Sequence, residues 1–213
     1  SGPILAVHWK EDLARDTAIH AHAPGQLIGS LAGLVSIYTP LGWWVVPPTH
    51  AIWLPPQVPH GVRSHGPFQG WSVYVAKANC SELPSTPRTL RVGTLLRELV
   101  ERATTWNGTS NTPAEHRLAQ VIIDEIAGLP EDPLGLPLPS DERLRRMTDA
   151  MLDGLADNRS IQDWAEWVGM TSRTLARHFS EQTGFGLVAW RQRARVLRAI
   201  EMLAEGHAVT NIA

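Results

Sequence analysis

A single cysteine, Cys80, rules out an internal disulfide in this 213-residue chain, and a reducing cytoplasm fits a protein that uses sulfur so sparingly. Excess charge of one sign is also missing. With 19 basic and 21 acidic side chains the net charge is -2, so any surface that attracts nucleic acid has to be local. No apolar run reaches the roughly 20 residues a membrane-spanning helix needs, and the first residues carry no charged-then-apolar signal segment. A membrane is therefore not an expected partner. Disorder is excluded as the default by the 43% of residues that are apolar, and the length allows two modest domains with cores of their own.

Composition changes along the chain. Residues 1–80 hold most of the glycine and proline punctuation, around short apolar runs at 33–38, 43–46 and 71–76. Runs of this kind, bounded by turn residues, predict a compact β-barrel or sandwich over 1–86. After residue 87 the period becomes helical. Val92, Leu95, Leu96, Leu99, Val100 and Ala103 form one apolar stripe. Thr112-Pro113-Ala114-Glu115 reads as a capping box with proline in the first turn, opening a second helix whose apolar face is Leu118, Val121, Ile122 and Ile126. The connector 87–128 serves either as a homodimer interface or as a cover for its own barrel. Prolines between Leu129 and Pro139 remove backbone donors, so 129–139 is expected to be an irregular linker. Residues 140–213 are expected to be all-helical, with Ser140 as the first cap. The fold class is therefore α+β.

The basic surface that the totals lack is found near the C-terminus. Ile161, Trp164, Ala165 and Val168 are spaced as the buried face of a short helix, and Gly169 turns the chain. Thr171 or Ser172 can cap the next helix, in which Leu175 and Phe179 face inward and Arg173, Thr174, Arg177 and His178 face outward. Such a helix can lie in a DNA major groove, where arginine reads guanine through paired hydrogen bonds. From Thr171 to Arg198 there are six arginines against one acid, Glu181, and among them Arg191, Arg195 and Arg198 share one stripe of a long helix. Arg191 and Arg195 are candidate phosphate contacts. Residues 208–213 echo 160–165 in apolar spacing, as though a second helix-turn-helix begins where the chain ends.

Residues 160–206 resemble the DNA-binding domain of AraC-family transcription regulators. The resemblance rests on Ala165, Val168-Gly169-Met170-Thr171, Arg173-Thr174-Leu175, Arg177, Phe179, Thr183-Gly184, Trp190-Arg191, Leu203-Ala204 and Gly206. It implies two helix-turn-helix motifs bridged by a long helix, of which this sequence holds the first and the bridge, and double-stranded operator DNA as partner.

The N-terminal part carries His20-x-His22, then Gln26 and Gly33, and further on Pro55-Pro56-Gln57-Val58-Pro59-His60. These resemble the two motifs of the cupin barrel, with His20, His22, Gln26 and His60 at metal-ligand positions. Gln26 stands where a cupin usually has a carboxylate, and Gln57 where it has a turn glycine. Three imidazoles suit a transition metal such as nickel, cobalt or zinc, and the pattern is similar to a branch that includes regulators of nickel or cobalt export. A small organic effector is the alternative, and Trp44 and Trp53 are candidates to wall its pocket. A cupin metalloenzyme, an oxygenase or isomerase, is the competing class, but a DNA reader is a strange companion for catalysis. The expectation is a regulator, with no catalytic residues. His8, His50, His65 and His116 fit no motif, and Cys80, without a partner thiol, is expected to be inert.

Overall fold

The computed structural model describes residues 2–212 apart from positions 107, 110 and 133. Its packing divides the chain into two units, Ser1–Thr39 with Trp44–Gly135, and Pro40–Trp43 with Leu136–Ala213. The elements in chain order begin with strands β1 (Ile4–Glu11), β2 (Gly25–Ala32), β3 (Val35–Thr39), β4 (Gly42–Val46), β5 (His50–Leu54), β6 (Gly61–Ser64), β7 (Phe68–Val75) and β8 (Arg88–Arg91). Helices α1 (Thr94–Thr104) and α2 (Pro113–Gly128) follow, then β9 (Gly135–Pro137), α3 (Glu142–Asp153), α4 (Ile161–Trp167), α5 (Ser172–Thr183) and α6 (Leu187–Ala204).

The first unit is a cupin-like β-barrel with two helices on its flank. One sheet runs β1-β7-β2-β5-β8 and the other β6-β3-β4-β9. Strand β2 is buried from Gly25 to Ser30 and β5 from Ala51 to Leu54 because both of their faces are covered. Alternation divides them: Ile28, Ile52 and Leu54 pack between the sheets against Val35, Ile37, Trp44, Val46, Val62 and Phe68. Leu27, Ala51 and Trp53 face the other way, onto Leu96, Val100 and Ala103 of α1 and Ala119, Ile122, Ile123 and Ile126 of α2. Burying each large aliphatic or aromatic side chain in these layers contributes about 1.5–3 kcal/mol. The helical connector thus covers its own barrel, leaving Leu95 and Val121 exposed. The α2 face is turned by one position from the expected one, toward Ala119 and Ile123. Its capping box forms as expected, with Thr112 accepting from the Glu115 N–H and the Glu115 carboxylate accepting from the Thr112 N–H.

Three expectations need correction. Strand β8 lies beyond the expected barrel end at 86 and pairs with β5 from His50↔Arg91 to Trp53↔Arg88. The stretch 129–139 is not irregular throughout. Leu90 bridges Glu131, Arg91 N–H donates to the Pro130 carbonyl (3.1 Å), and β9 takes the end of the second sheet. Proline is tolerated there because an edge strand needs donors on one side only. Trp53 and Trp44 are packing residues and not pocket walls. Trp53 is fully buried, its indole N–H donates to the Pro84 carbonyl at 2.8 Å, and a Cβ on Gly25 would lie 2.3 Å from its ring. Trp44 lies over Gly135, where a Cβ would meet it at 2.2 Å. Cys80 is half-buried against the layer beneath α1 and α2, and burial pushes its thiol pKa up.

The second unit is built on Leu144, Met147, Met151, Trp164, Ala165, Leu175, Phe179, Trp190, Ala194 and Leu197, all buried. Phe179 of α5 and Trp190 of α6 meet edge to face with ring centroids 5.7 Å apart. The cap of α3 is Asp141, one residue later than expected, and its carboxylate accepts from the N–H groups of Arg143 and Leu144. Ser140 is instead held, with Asp141, by the side-chain oxygen of Gln182 on α5. Among the described residues, no helix is long and apolar enough to cross a membrane.

Candidate functional site

The histidine cluster is assembled by two loops stitched together through their backbones. His20 N–H donates to the His60 carbonyl (3.0 Å) and His60 N–H returns a bond to the His20 carbonyl (2.8 Å). Gln57 N–H reaches the His22 carbonyl at 3.0 Å, and Gln57 holds a left-handed backbone (φ 64°) that favours glycine. The residue that replaces the cupin turn glycine therefore keeps the glycine conformation. These bonds bring one ring nitrogen from each of His20, His22 and His60 within 4.8 Å of the other two.

In each ring Nδ1 is already used. It faces the carbonyl of Ala18 for His20 (3.0 Å), of Pro24 for His22 (2.8 Å) and of Val58 for His60 (2.9 Å). A neutral imidazole has one N–H, so donation from Nδ1 leaves Nε2 as a lone pair. For His60 that lone pair is buried and has no hydrogen-bond partner. Burial lowers the His60 pKa and the neighbouring His20 and His22 lower it further, against the opposing pull of the Val58 carbonyl. The ring thus stays neutral at pH 7, as a metal ligand must.

Gln26 lies beneath the cluster, buried, with its amide between His22 Nε2 (3.0 Å to Oε1) and the Ser72 hydroxyl (2.9 Å from Nε2). Because Pro24 takes the Nδ1 proton of His22, this network is fully satisfied when the amide nitrogen points to His22 and Ser72 donates to the amide oxygen. Ser72 in turn accepts the indole N–H of Trp9 at 3.1 Å. Tyr74 completes the wall, edge-on to His22 at 5.5 Å. Its phenol is half-buried and its pKa is raised by that burial. Trp9, Ser72 and Tyr74 escape motif reading. The register that pairs Gln26 with Tyr74 and Ile28 with Ser72 is the signal that places the latter two here.

In the second unit α4 and α5 form the expected helix-turn-helix. Ser160 and Asp163 close a capping box on α4, and Gly169 (φ 68°) makes the turn. Thr171 caps α5, accepting from the Thr174 N–H at 3.2 Å. Gly184 (φ 75°) ends α5 in the left-handed conformation. Trp164, Ala165, Val168, Leu175 and Phe179 are buried, whereas Ile161, expected on the same face, is 39% exposed.

Arg173 and Arg177 are exposed and Ser172, Thr174 and His178 half-exposed, so the outer face of α5 presents these polar groups together. Among the described residues Arg173 enters no ion pair, and Arg177 makes a solvent-exposed i,i+4 pair with Glu181 at 3.4 Å, a contact of small worth in water. Arg191 and Arg195 are placed differently. Arg191 donates to the carbonyls of Arg159 (3.0 Å) and Asp157, and Arg195 Nε to that of Leu155 (2.9 Å). Their heads hold the loop between α3 and α4. Helical periodicity puts both on one stripe but carries no information about which loop returns over it.

Residues 164–213 match a family described as a helix-turn-helix domain. The chain is 31% identical over 198 residues to the HTH-type transcriptional regulator NimR of Escherichia coli (strain K12), a match that spans 92% of this chain and 71% of that protein. A shorter match, 32% identity over 77 residues, links 36% of the chain to 23% of the HTH-type transcriptional regulator RipA of Corynebacterium glutamicum. Among solved structures, the AraC-like transcriptional activator CuxR aligns over 97% of this chain and 82% of its own at 12% identity, with a TM-score of 0.47. By its similarity to one such regulator over most of its length and by its helix-turn-helix domain, this chain belongs to the AraC family of DNA-binding transcriptional regulators.

Proposed function

We propose that this regulator answers to a first-row transition metal, nickel, cobalt or zinc, held by the Nε2 atoms of His20, His22 and His60. The observation that carries the reading is the pair of features at His60: Nδ1 anchored on the Val58 carbonyl, and Nε2 buried without a partner. A buried polar atom left unpaired is costly, about 1–3 kcal/mol, and an anchored Nδ1 is how proteins aim Nε2 at a metal. Metal–nitrogen bonds of about 2.0–2.1 Å would require the three ring nitrogens, now within 4.8 Å of one another, to draw closer together. Neutral imidazoles suit borderline cations, and Gln26 would join them as a weak fourth group only by turning its amide oxygen from Ser72 toward the cluster. The DNA contacts are assigned to Thr171, Ser172, Arg173, Thr174, Arg177 and His178 on α5. Metal occupancy changes DNA binding to the extent that the DNA-competent state holds the ion with a different affinity.

The test pairs elemental analysis with promoter footprinting, with and without added nickel, cobalt or zinc. His60→Ala should abolish stoichiometric metal and the metal dependence of the footprint together. Unchanged metal content in that variant would remove this reading. A second reading, an organic effector, is favoured by an adjoining apolar pocket of about 450 Å³ that shares Pro24 and Tyr74 with the cluster and is lined further by Pro3, Ile4, Ala76 and Lys77. A metal-free protein whose footprint ignores all three ions would support it.

A further inference from the structure

Within the second unit α6 buries a carboxylate. Glu201 is 1% exposed, and an ionised group so placed is tolerated only with good partners. Arg198, one turn earlier, donates to its Oε2 at 3.1 Å. The other oxygen, Oε1, accepts the indole N–H of Trp43 at 3.0 Å. Trp43 belongs to the four residues 40–43 that pack with this unit, although the chain carries them between β3 and β4. The same turn is grasped twice more. Arg145 of α3 donates to the Pro40 carbonyl at 2.6 Å, and Leu138 N–H donates to the Leu41 carbonyl at 3.0 Å. Strand β3, which feeds the turn, pairs with β6 from Val35↔Ser64 to Tyr38↔Gly61, and Gly61 directly follows His60. A short covalent and hydrogen-bonded route therefore runs from His60 through Gly61, Tyr38 and the turn to Glu201.

We propose that Trp43 and Glu201 are positioning residues: the 40–43 turn fixes the C-terminal half of α6, and through it a change at the histidine cluster reaches that part of α6. The second half of this statement rests on the metal reading above; the first does not. A buried carboxylate that merely filled space would be replaced at no loss by an apolar residue, so its acceptor function is what the test has to isolate. Trp43→Phe keeps an aromatic ring and removes the donor. Glu201→Met keeps the volume and removes the acceptor. Glu201→Gln keeps an acceptor for the indole and serves as the rescue.

Hydrogen exchange measured by mass spectrometry on the full chain reads all three. Without metal, Trp43→Phe and Glu201→Met should each speed exchange in peptides covering 40–44 and 198–206 on the order of tenfold, the scale of one hydrogen bond to a charged acceptor. Peptides covering α5 and β2 should not change, and Glu201→Gln should stay near the parent. With nickel chloride, the parent should show altered exchange at 20–22, 58–60 and 198–206. Trp43→Phe should bind stoichiometric nickel by elemental analysis and respond only at the histidines. Exchange at 198–206 unaltered in both donor and acceptor variants would overturn the positioning role, as would Glu201→Gln behaving like Glu201→Met. A nickel response at 198–206 that survives Trp43→Phe would overturn the route. If the parent takes up no nickel, the metal reading falls, while the metal-free arm still decides whether the turn holds α6.

Discussion

Arg173 and Arg191 carry the same guanidinium on neighbouring helices, yet one ends in solvent and the other in the carbonyls of residues 157 and 159. What already occupies a head group decides what it can do for DNA. Arg173→Ala should leave thermal unfolding within about 0.5 kcal/mol of the parent while costing about 1–3 kcal/mol of discrimination between operator and scrambled duplex. Arg191→Ala should do the reverse: a lower unfolding midpoint, because the loop between α3 and α4 loses the donor that two of its carbonyls share, and an equal loss of affinity for both duplexes. Anisotropy titrations beside thermal melts separate the two. A specific loss from Arg191→Ala at unchanged stability would return that residue to the DNA face. At this scale the sequence is a good guide to residue type and a poor one to occupancy. His20, His22 and His60 are picked out by their resemblance to the cupin motifs, whereas the carbonyls that orient their rings are backbone atoms and have no sequence signature.

Helix α4 spans only seven residues, too few to persist on propensity, so its capping box matters. The Ser160 hydroxyl, then the Ser160 N–H, hold the Asp163 carboxyl below the ordinary aspartate range. The side chain of Arg159 does the same for Asp157, and the N–H of Leu144 for Asp141. Each folded-state pKa is depressed, so each contribution to stability is complete above the unfolded value of about 3.9 and is lost as pH falls through the lower folded value. The helical circular dichroism of the second unit should therefore hold down to about pH 4 and decline below it, and Asp163→Asn should flatten part of that decline. A profile identical to the parent would mean the box is open in solution. Elements were legible where a period is long or a signature specific, as in the α2 box and the Gly169 turn. They were less so where partners decide. The four residues of β8 are too short to show alternation beside the helical run after them. The α2 face shifted toward Ala119 because a small side chain allows close approach and scores weakly as apolar. The prolines of 129–139 forbid an interior strand but not the edge position that β9 takes.

For the molecule as a whole, the near-neutral balance means that DNA must be met by a small positive surface on an otherwise acidic chain. Each phosphate neutralised contributes a slope of about -0.9 to log affinity against log salt. With Arg191 and Arg195 engaged internally, the exposed arginines Arg173 and Arg177 should give this chain a shallow slope, about -2. A slope near -8 would show that many more cations reach the backbone. Composition showed a β-rich part giving way to helical periodicity near residue 87, but that change falls inside the first unit, which runs on to Gly135. The membership of residues 40–43 was not visible, since packing and not chain order assigns them to the second unit.

The position of Cys80 has a practical outcome. Its thiol lies beneath the helical layer, within reach of the Val75 and Ala76 carbonyls, and burial keeps it protonated. Thiolate is the reactive form, so the native sulfur competes poorly for alkylating reagents. A cysteine introduced at an exposed position such as Gln162 would react first, and that variant can accept a single fluorescent or spin label beside its DNA-reading helix without prior removal of Cys80.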